Sequence, residues 1–183
     1  MRARRGVDGV RKITLMVADA GAVDPWAIAD AIACLDDRMR AVAIEERGYR
    51  VAIVGRRPWP RPSRADAMVA TCPPAALYAS RLLKAGGLAV VGRCTVEAAE
   101  LPGIILPSDE LMLNTLKRRA GMLIVEEVGR AHALAWCVGA VSAIMEIGVE
   151  PLGAKAGLDE RGLAAARDAY ERLRRRLASA SES

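Results

Sequence analysis

The residues of this chain that have chemistry to offer are few and widely spaced. The first group is a turn, Asp19-Ala20-Gly21-Ala22-Val23-Asp24-Pro25-Trp26, which follows an apolar run and precedes a helix signal. Strand, glycine-containing turn and helix is how a phosphate-binding loop is built, because the first N–H groups of a helix have no intrahelical partner. Asp19 and Gly21 are cofactor-binding candidates on that ground. Yet Gly21 is the turn's only glycine, and Asp19 and Asp24 put carboxylates where a phosphate would sit, so a structural turn is the stronger reading. The four cysteines, Cys34, Cys72, Cys94 and Cys137, stand 38, 22 and 43 positions apart, and no CxxC or CxH pair pre-organises a metal or iron–sulfur site. Cys72 falls at the carboxyl end of an expected strand, where α/β sheets bind ligands, but a small buried thiol is the commoner role. His132, the only histidine, opens a helix with no Ser or Cys nucleophile placed beside it, which suits a local hydrogen bond better than a general base. No catalytic constellation and no metal site emerge.

A second group is cationic. Gly55 to Arg64, GRRPWPRPSR, is a proline-rich loop in which Arg56, Arg57, Arg61 and Arg64 surround Trp59. Such a cluster suits an anionic ligand or the acidic rim of a partner, and a solvated loop equally well.

The elements that must position these groups are legible from local chemistry. Ala65 to Arg93 reads as a β-α-β unit. Ala67 to Thr71 has strand length, and Pro73-Pro74 can open a helix at no hydrogen-bond cost. Leu77, Tyr78, Leu82 and Leu83 form its apolar stripe, Arg81 and Lys84 suit its last turn, and Gly86-Gly87 would supply a left-handed C-cap before a strand over Leu88 to Gly92. Upstream, Ile13 to Ala18 predicts the first strand, and Asp24 and Pro25 predict the start of a helix to about Leu35. Arg40 to Ile44 and Tyr49 to Val54 read as adjacent strands joined by Glu45-Glu46-Arg47-Gly48. Downstream, Gly103 to Leu106 is a short strand, and Ser108-Asp109-Glu110 caps a helix to about Arg119. Met122 to Val125 is strand or helix start, since four apolar residues carry no period. Ala131 to Ile147 is a helix apolar nearly all round, which must be buried centrally or against another subunit. Pro151 to Gly157 reads as a linker, and a final amphipathic helix over about 159–178 has Leu163, Ala166, Tyr170, Leu173 and Leu177 on its seam. The fold class expected is α/β, a Rossmann-like three-layer domain with a mostly parallel sheet and helices on both faces. Its organisation is a basic arm over 1–12, a single domain over 13–178 and a frayed tail over 179–183.

Composition limits the alternatives. The chain has 183 residues, of which 52% are hydrophobic, enough for one core. Its net charge of +5 comes from 23 Arg and 4 Lys against 22 acids spread among them, and only 3% of residues are aromatic. That pattern excludes a nucleic-acid tail and a stacking platform for single strands. The absence of Gln and the single Asn114 fit a thermophile, though a GC-rich genome explains the Arg excess as well. No apolar run of about 20 residues and no signal-peptide pattern is present, so the expectation is a cytoplasmic protein with reduced thiols and no membrane contact.

Three segments in order resemble the gamma-type subunit of the 2-oxoacid:ferredoxin oxidoreductases, in particular the beta subunit of the indolepyruvate enzymes. Ala65-Asp66-Ala67-Met68-Val69-Ala70, Pro73 or Pro74, Leu77, Leu82-Leu83, Gly86-Gly87 and Val90-Val91 match that family's ADxLxAxxPxxLxxxxxLxxGGxxVV block. Glu46-Arg47-Gly48-Tyr49 is similar to its RGG segment, and Trp136-Cys137-Val138-Gly139-Ala140-Val141 to its late NxxxLGAL helix. Departures accompany the matches. The family's GxGGQG turn is replaced by Asp19 to Asp24, Tyr49 stands for a glycine, and Ala135 for the asparagine.

The resemblance implies a divergent subunit that completes an assembly and its active-site cleft without supplying catalytic groups. Its partner would be a large thiamine-dependent catalytic subunit, with ferredoxin engaged indirectly. Thiamine diphosphate, CoA and iron–sulfur clusters would belong to the complex and not to this chain alone. Arg47 and Gly48 join Asp19 and Gly21 as cofactor-facing candidates, and Arg56, Arg57, Trp59, Arg61, Trp136 and Gly139 are the partner-binding candidates. The central block also resembles the later half of class I methyltransferases. A stand-alone nucleotide- or SAM-binding enzyme and a homo-oligomeric scaffold are therefore the alternative readings.

Overall fold

Six apolar runs become the strands of one sheet. In the computed structural model, which describes residues 13–56, 64–96 and 105–181, they are β1 (Leu15–Asp19), β2 (Arg40–Glu46), β3 (Tyr49–Gly55), β4 (Ala65–Ala70), β5 (Leu83–Gly92) and β6 (Met122–Glu126). The basic arm 1–12 and the loop residues Arg57, Trp59 and Arg61 lie outside the described residues. The order across the sheet is β2-β3-β1-β4-β5-β6. Only β3 runs against the others, pairing antiparallel with both β2 and β1, while β1, β4, β5 and β6 pair in parallel. Leu15, Met16, Val17 and Ala18 are fully buried, as a strand with neighbours on both edges and helices on both faces requires.

Local signals set most boundaries. The helix α1 (Pro25–Leu35) has Pro25 in its first turn and the Asp24 side chain accepting from Trp26 N at 3.0 Å. Arg47 and Gly48 have φ of 53° and 83°, so the β2–β3 hairpin closes through two left-handed residues, the arrangement that matches strand twist. Ser108 caps α3 (Asp109–Lys117). The ambiguous run at Met122 resolves as strand β6.

Helices α4 (Ala133–Met145), α5 (Val149–Lys155) and α6 (Glu160–Ser181) join α1 on one face, and α2 (Pro73–Ala79) and α3 cover the other. Adjacent residues of β3 mark the two faces. Tyr49 stacks on Tyr78 of α2 at 4.5 Å between ring centroids, whereas Arg50 reaches the turn leading into α1.

Four expectations are corrected. First, α2 stops at Ala79 and a 3-10 turn over Ser80–Leu82 leads straight into β5 at Leu83, so Gly86-Gly87 does not cap a helix. The pairing of β4 with β5 jumps from Ala65↔Leu83 to Ala67↔Leu88, two residues on one strand against five on the other. Gly86, at φ 78°, sits in this bulge, where Gly121 crosses so closely that a Cβ on it would stand 2.4 Å from Gly86 O. Lys84 bonds Asp66 of β4 and takes no part in a helix end. Second, Pro151 to Gly157 is no linker, because α5 occupies most of it. Pro151 falls in the first turn, where its missing N–H costs nothing, and Leu152 is fully buried. Third, Ile105 and Leu106 form no strand, and Ile105 is 97% exposed. Fourth, α6 continues to Ser181, past the expected fraying point.

Candidate functional site

The turn after β1 is where sequence chemistry and topology meet. β1 is flanked by antiparallel β3 and parallel β4, and the carboxyl ends of β1 and β4 border the crevice where open α/β sheets bind ligands. Asp19 is the last residue of β1 and is fully buried. Its Oδ2 accepts from Gly21 N at 2.6 Å and Arg50 Nη2 at 3.0 Å. Its Oδ1 accepts from Ala22 N at 3.2 Å and Thr71 Oγ1 at 2.5 Å. Arg50 also donates to Val23 O at 2.6 Å, and Arg130 donates to Gly21 O at 2.9 Å. The turn is thus filled by its own side chain, and the N–H groups that a phosphate would use are already satisfied.

Sequence reasoning found Asp19 and Gly21 but missed Arg50, Thr71 and Arg130. Arg50 carried one signal, a charge within the otherwise apolar run Tyr49 to Val54. Arg47 and Gly48 lie on the same edge of the sheet, just beyond the Asp19↔Arg50 register. Beside them Tyr78 donates to Glu46 Oε2 at 2.6 Å, and Arg81 lies over the Tyr78 ring at 4.3 Å and bonds Glu46 at 3.2 Å. The bond from Tyr78, then that from Arg81, holds the Glu46 carboxyl below its usual range, while burial first and Glu46 second push the Tyr78 phenol up.

Cys72 follows Thr71 at this edge. Burial pushes its thiol up to about 12, a protonated and unreactive state at neutral pH. Burial also raises Cys137. Among the described residues, no group of three or more His, Cys, Asp or Glu side chains is arranged to hold a metal ion. His132 is exposed in the 3-10 turn over Arg130–His132 that precedes α4.

Trp136 and Gly139, expected to face a partner, are instead inside the chain. Trp136 is 4% exposed, and its indole N–H donates to Glu126 Oε2 at 3.0 Å. Glu126 also faces Arg172 at 3.7 Å and Arg176 at 3.5 Å, which ties α6 to the end of β6. Gly139 faces α6 so closely that a Cβ would stand 2.4 Å from Ala166 O. The small residues of α4 serve helix packing within this chain. Arg56 is half-exposed at the end of β3.

A groove of about 880 Å³ lies at the opposite edge of the sheet, beside the middle of β5 and the start of β6, with Leu88, Met122, Ile147, Tyr170 and Leu177 among its lining. It shares no residue with the Asp19 turn, and the Glu150–Arg167 ion pair on its lining is exposed. No helix among the described residues is long and apolar enough to cross a membrane.

Fold and site together define an α/β protein whose first crossover turn is closed by an internal carboxylate. No family model matches the sequence, and no curated protein matches it. Among solved structures, the chain is similar to a 2-oxoglutarate:ferredoxin oxidoreductase from Magnetococcus marinus, determined with 2-oxoglutarate, coenzyme A and succinyl-CoA bound, with a TM-score of 0.56 at 16% identity. That match covers 92% of this chain and 31% of the other, so this chain spans about a third of that protein and shares its fold over that part. It also aligns with the gamma subunit of a keto/oxoacid ferredoxin oxidoreductase from Geobacter sulfurreducens PCA, with a TM-score of 0.47, 15% identity, and 87% and 92% of the two chains covered. A pyruvate oxidoreductase subunit from Thermotoga maritima aligns with a TM-score of 0.47, 14% identity, and 90% and 97% coverage.

Proposed function

We propose that this chain is a supporting subunit of a thiamine-diphosphate-dependent 2-oxoacid:ferredoxin oxidoreductase whose substrate is an indolepyruvate-like 2-oxoacid. The observation that carries the reading is the fold shared with the Magnetococcus marinus enzyme over 92% of this chain. The ordered sequence resemblance, from Glu46 through the Ala65 block to Trp136, supports it from a separate direction.

Its role in the assembly is structural. The residues of the first turn do not fit a phosphate group of thiamine diphosphate or CoA, because Asp19 already occupies both backbone N–H groups, Arg50 and Thr71. A second anion there would meet a buried carboxylate at close range, which is strongly unfavourable in a low-dielectric site. Thiamine diphosphate, CoA and the iron–sulfur clusters would belong to the complex and not to this chain alone, and ferredoxin would be reached through the large partner subunit. Arg47 and Gly48 would border the shared cleft, and Arg56, Arg57, Trp59 and Arg61 would contact the partner.

Co-expression with a large thiamine-dependent subunit tests this. A stable complex whose 2-oxoacid-dependent ferredoxin reduction needs both chains is expected. A well-behaved monomer that ignores every such partner refutes it, and a discrete homo-oligomer with the same indifference would favour a scaffold.

A further inference from the structure

We infer that the Asp19 turn is an anion nest that holds the protein's own carboxylate as its permanent ligand, and that deleting this side chain creates a binding site for formate. The inference does not depend on the proposed function. It follows from the count and pairing of donors. Each carboxylate oxygen of Asp19 receives two hydrogen bonds, Oδ2 from Gly21 N and Arg50 Nη2, and Oδ1 from Ala22 N and Thr71 Oγ1. Two successive backbone N–H groups presented by a turn with Gly21 at φ 103°, beside a guanidinium and a hydroxyl, are the donor set that a diffusible anion uses at such a turn.

The donors also select the ligand class. They come as two pairs aimed at two oxygens, which matches a planar carboxylate of one negative charge, paired directly with the Arg50 cation. Phosphate brings four oxygens to four donors that are already paired on two, so its surplus oxygens would be left to whatever water reaches the partly exposed Gly21 and Ala22. Removing only the carboxylate would leave a Cβ within bonding distance of where a free anion's carbon must sit. Asp19→Gly removes that Cβ as well and makes room for formate, with acetate weaker by the bulk of its methyl group.

The test is the thermal stability of the full-length Asp19→Gly variant titrated with sodium formate, against sodium chloride at equal ionic strength. Expected is a saturable rise with formate beyond that with chloride, the folded-to-unfolded ratio increasing about 100-fold when formate reaches about 100 times its Kd. Wild type should show no such rise, and adding Arg50→Met to the variant should abolish it. A folded variant whose response to formate equals its response to chloride overturns the inference, as does an equal response in wild type. Should the variant fold in neither salt, deuterium exchange in wild type decides. Gly21 and Ala22 amides exchanging as slowly as those of β1 support the nest, and exchange at open-loop rates refutes it.

Discussion

Replacing Gly139 with alanine sets two effects of known size against each other. In an isolated helix the change would stabilise by about 1 kcal/mol, since glycine is the poorest non-proline helix former. Here the new Cβ would stand 2.4 Å from Ala166 O, 2.8 Å from Ala169 Cβ and 2.9 Å from Tyr170 N. Two of those atoms are backbone, so no rotamer change relieves the clash. To restore an ordinary contact of 3.4 Å, α6 must retreat by about 1 Å. It is held in place by the buried Ala166, Ala169 and Leu173 and by the Arg172 and Arg176 contacts to Glu126. Overpacking of this kind costs about 1–3 kcal/mol, and a gap approaching 1 Å forfeits up to half the dispersion energy of the contacts it opens. With backbone in the way and no rotamer to yield, the cost falls in the upper part of that range, about 2–3 kcal/mol, so packing wins and the net effect is a loss of about 1–2 kcal/mol after the propensity gain of about 1 kcal/mol is subtracted. For a chain of this size that lowers Tm by roughly 2–8 °C. Urea unfolding followed by far-UV circular dichroism measures it. Gly129→Ala is the matched control, because Gly129 has an extended backbone at φ −69° and its Cβ would meet nothing nearer than 3.7 Å. The control should be neutral or slightly more stable. Wild-type or higher stability in Gly139→Ala would mean that α4 and α6 do not meet at this residue, and the packing argument would fail.

Two further outcomes follow from buried groups. Glu126→Ala strands the buried indole N–H of Trp136 without an acceptor and should cost about 1–3 kcal/mol in the same urea experiment, with Glu126→Gln losing less because its amide oxygen can still accept. Equal stability of wild type and Glu126→Ala would remove this link from the account of α6 docking. In native protein at pH 8, iodoacetamide should modify Cys34, which is exposed, and leave Cys72, Cys94 and Cys137 unreacted until urea is added. Mass spectrometry reads the sites, and rapid native labelling of Cys72 would contradict both its burial and a thiol held near 12.

The elements legible in sequence are those whose causes are local. Asp24 caps a helix two residues away, Ser108 caps one three residues away, and Arg47-Gly48 turns a hairpin on itself. Each such contact forms within a few positions, so residue type and spacing suffice to place it. The same sequence logic misread Gly86-Gly87 and Pro151, because the glycine pair serves the close crossing of Gly121 and a proline in a first helical turn looks like one in a loop.

Function-bearing detail lay further apart in the chain. Asp19 meets Arg50 across 31 positions and Thr71 across 52, and nothing local distinguishes a carboxylate that repels a phosphate from one that takes its place. Trp136 and Gly139 read as partner contacts on a helix that had to be buried centrally or against another subunit, and it is α6, folding back from the end of the chain, that packs on Gly139. The sequence alone determined that an α/β sheet forms and where the locally hydrogen-bonded caps and turns at Asp24, Ser108 and Arg47-Gly48 fall, through short-range hydrogen bonds and apolar patterning. Tertiary structure alone decided the strand order, the identity of the groups around Asp19 and which segment buries α4, because those depend on which distant segments the sheet brings side by side.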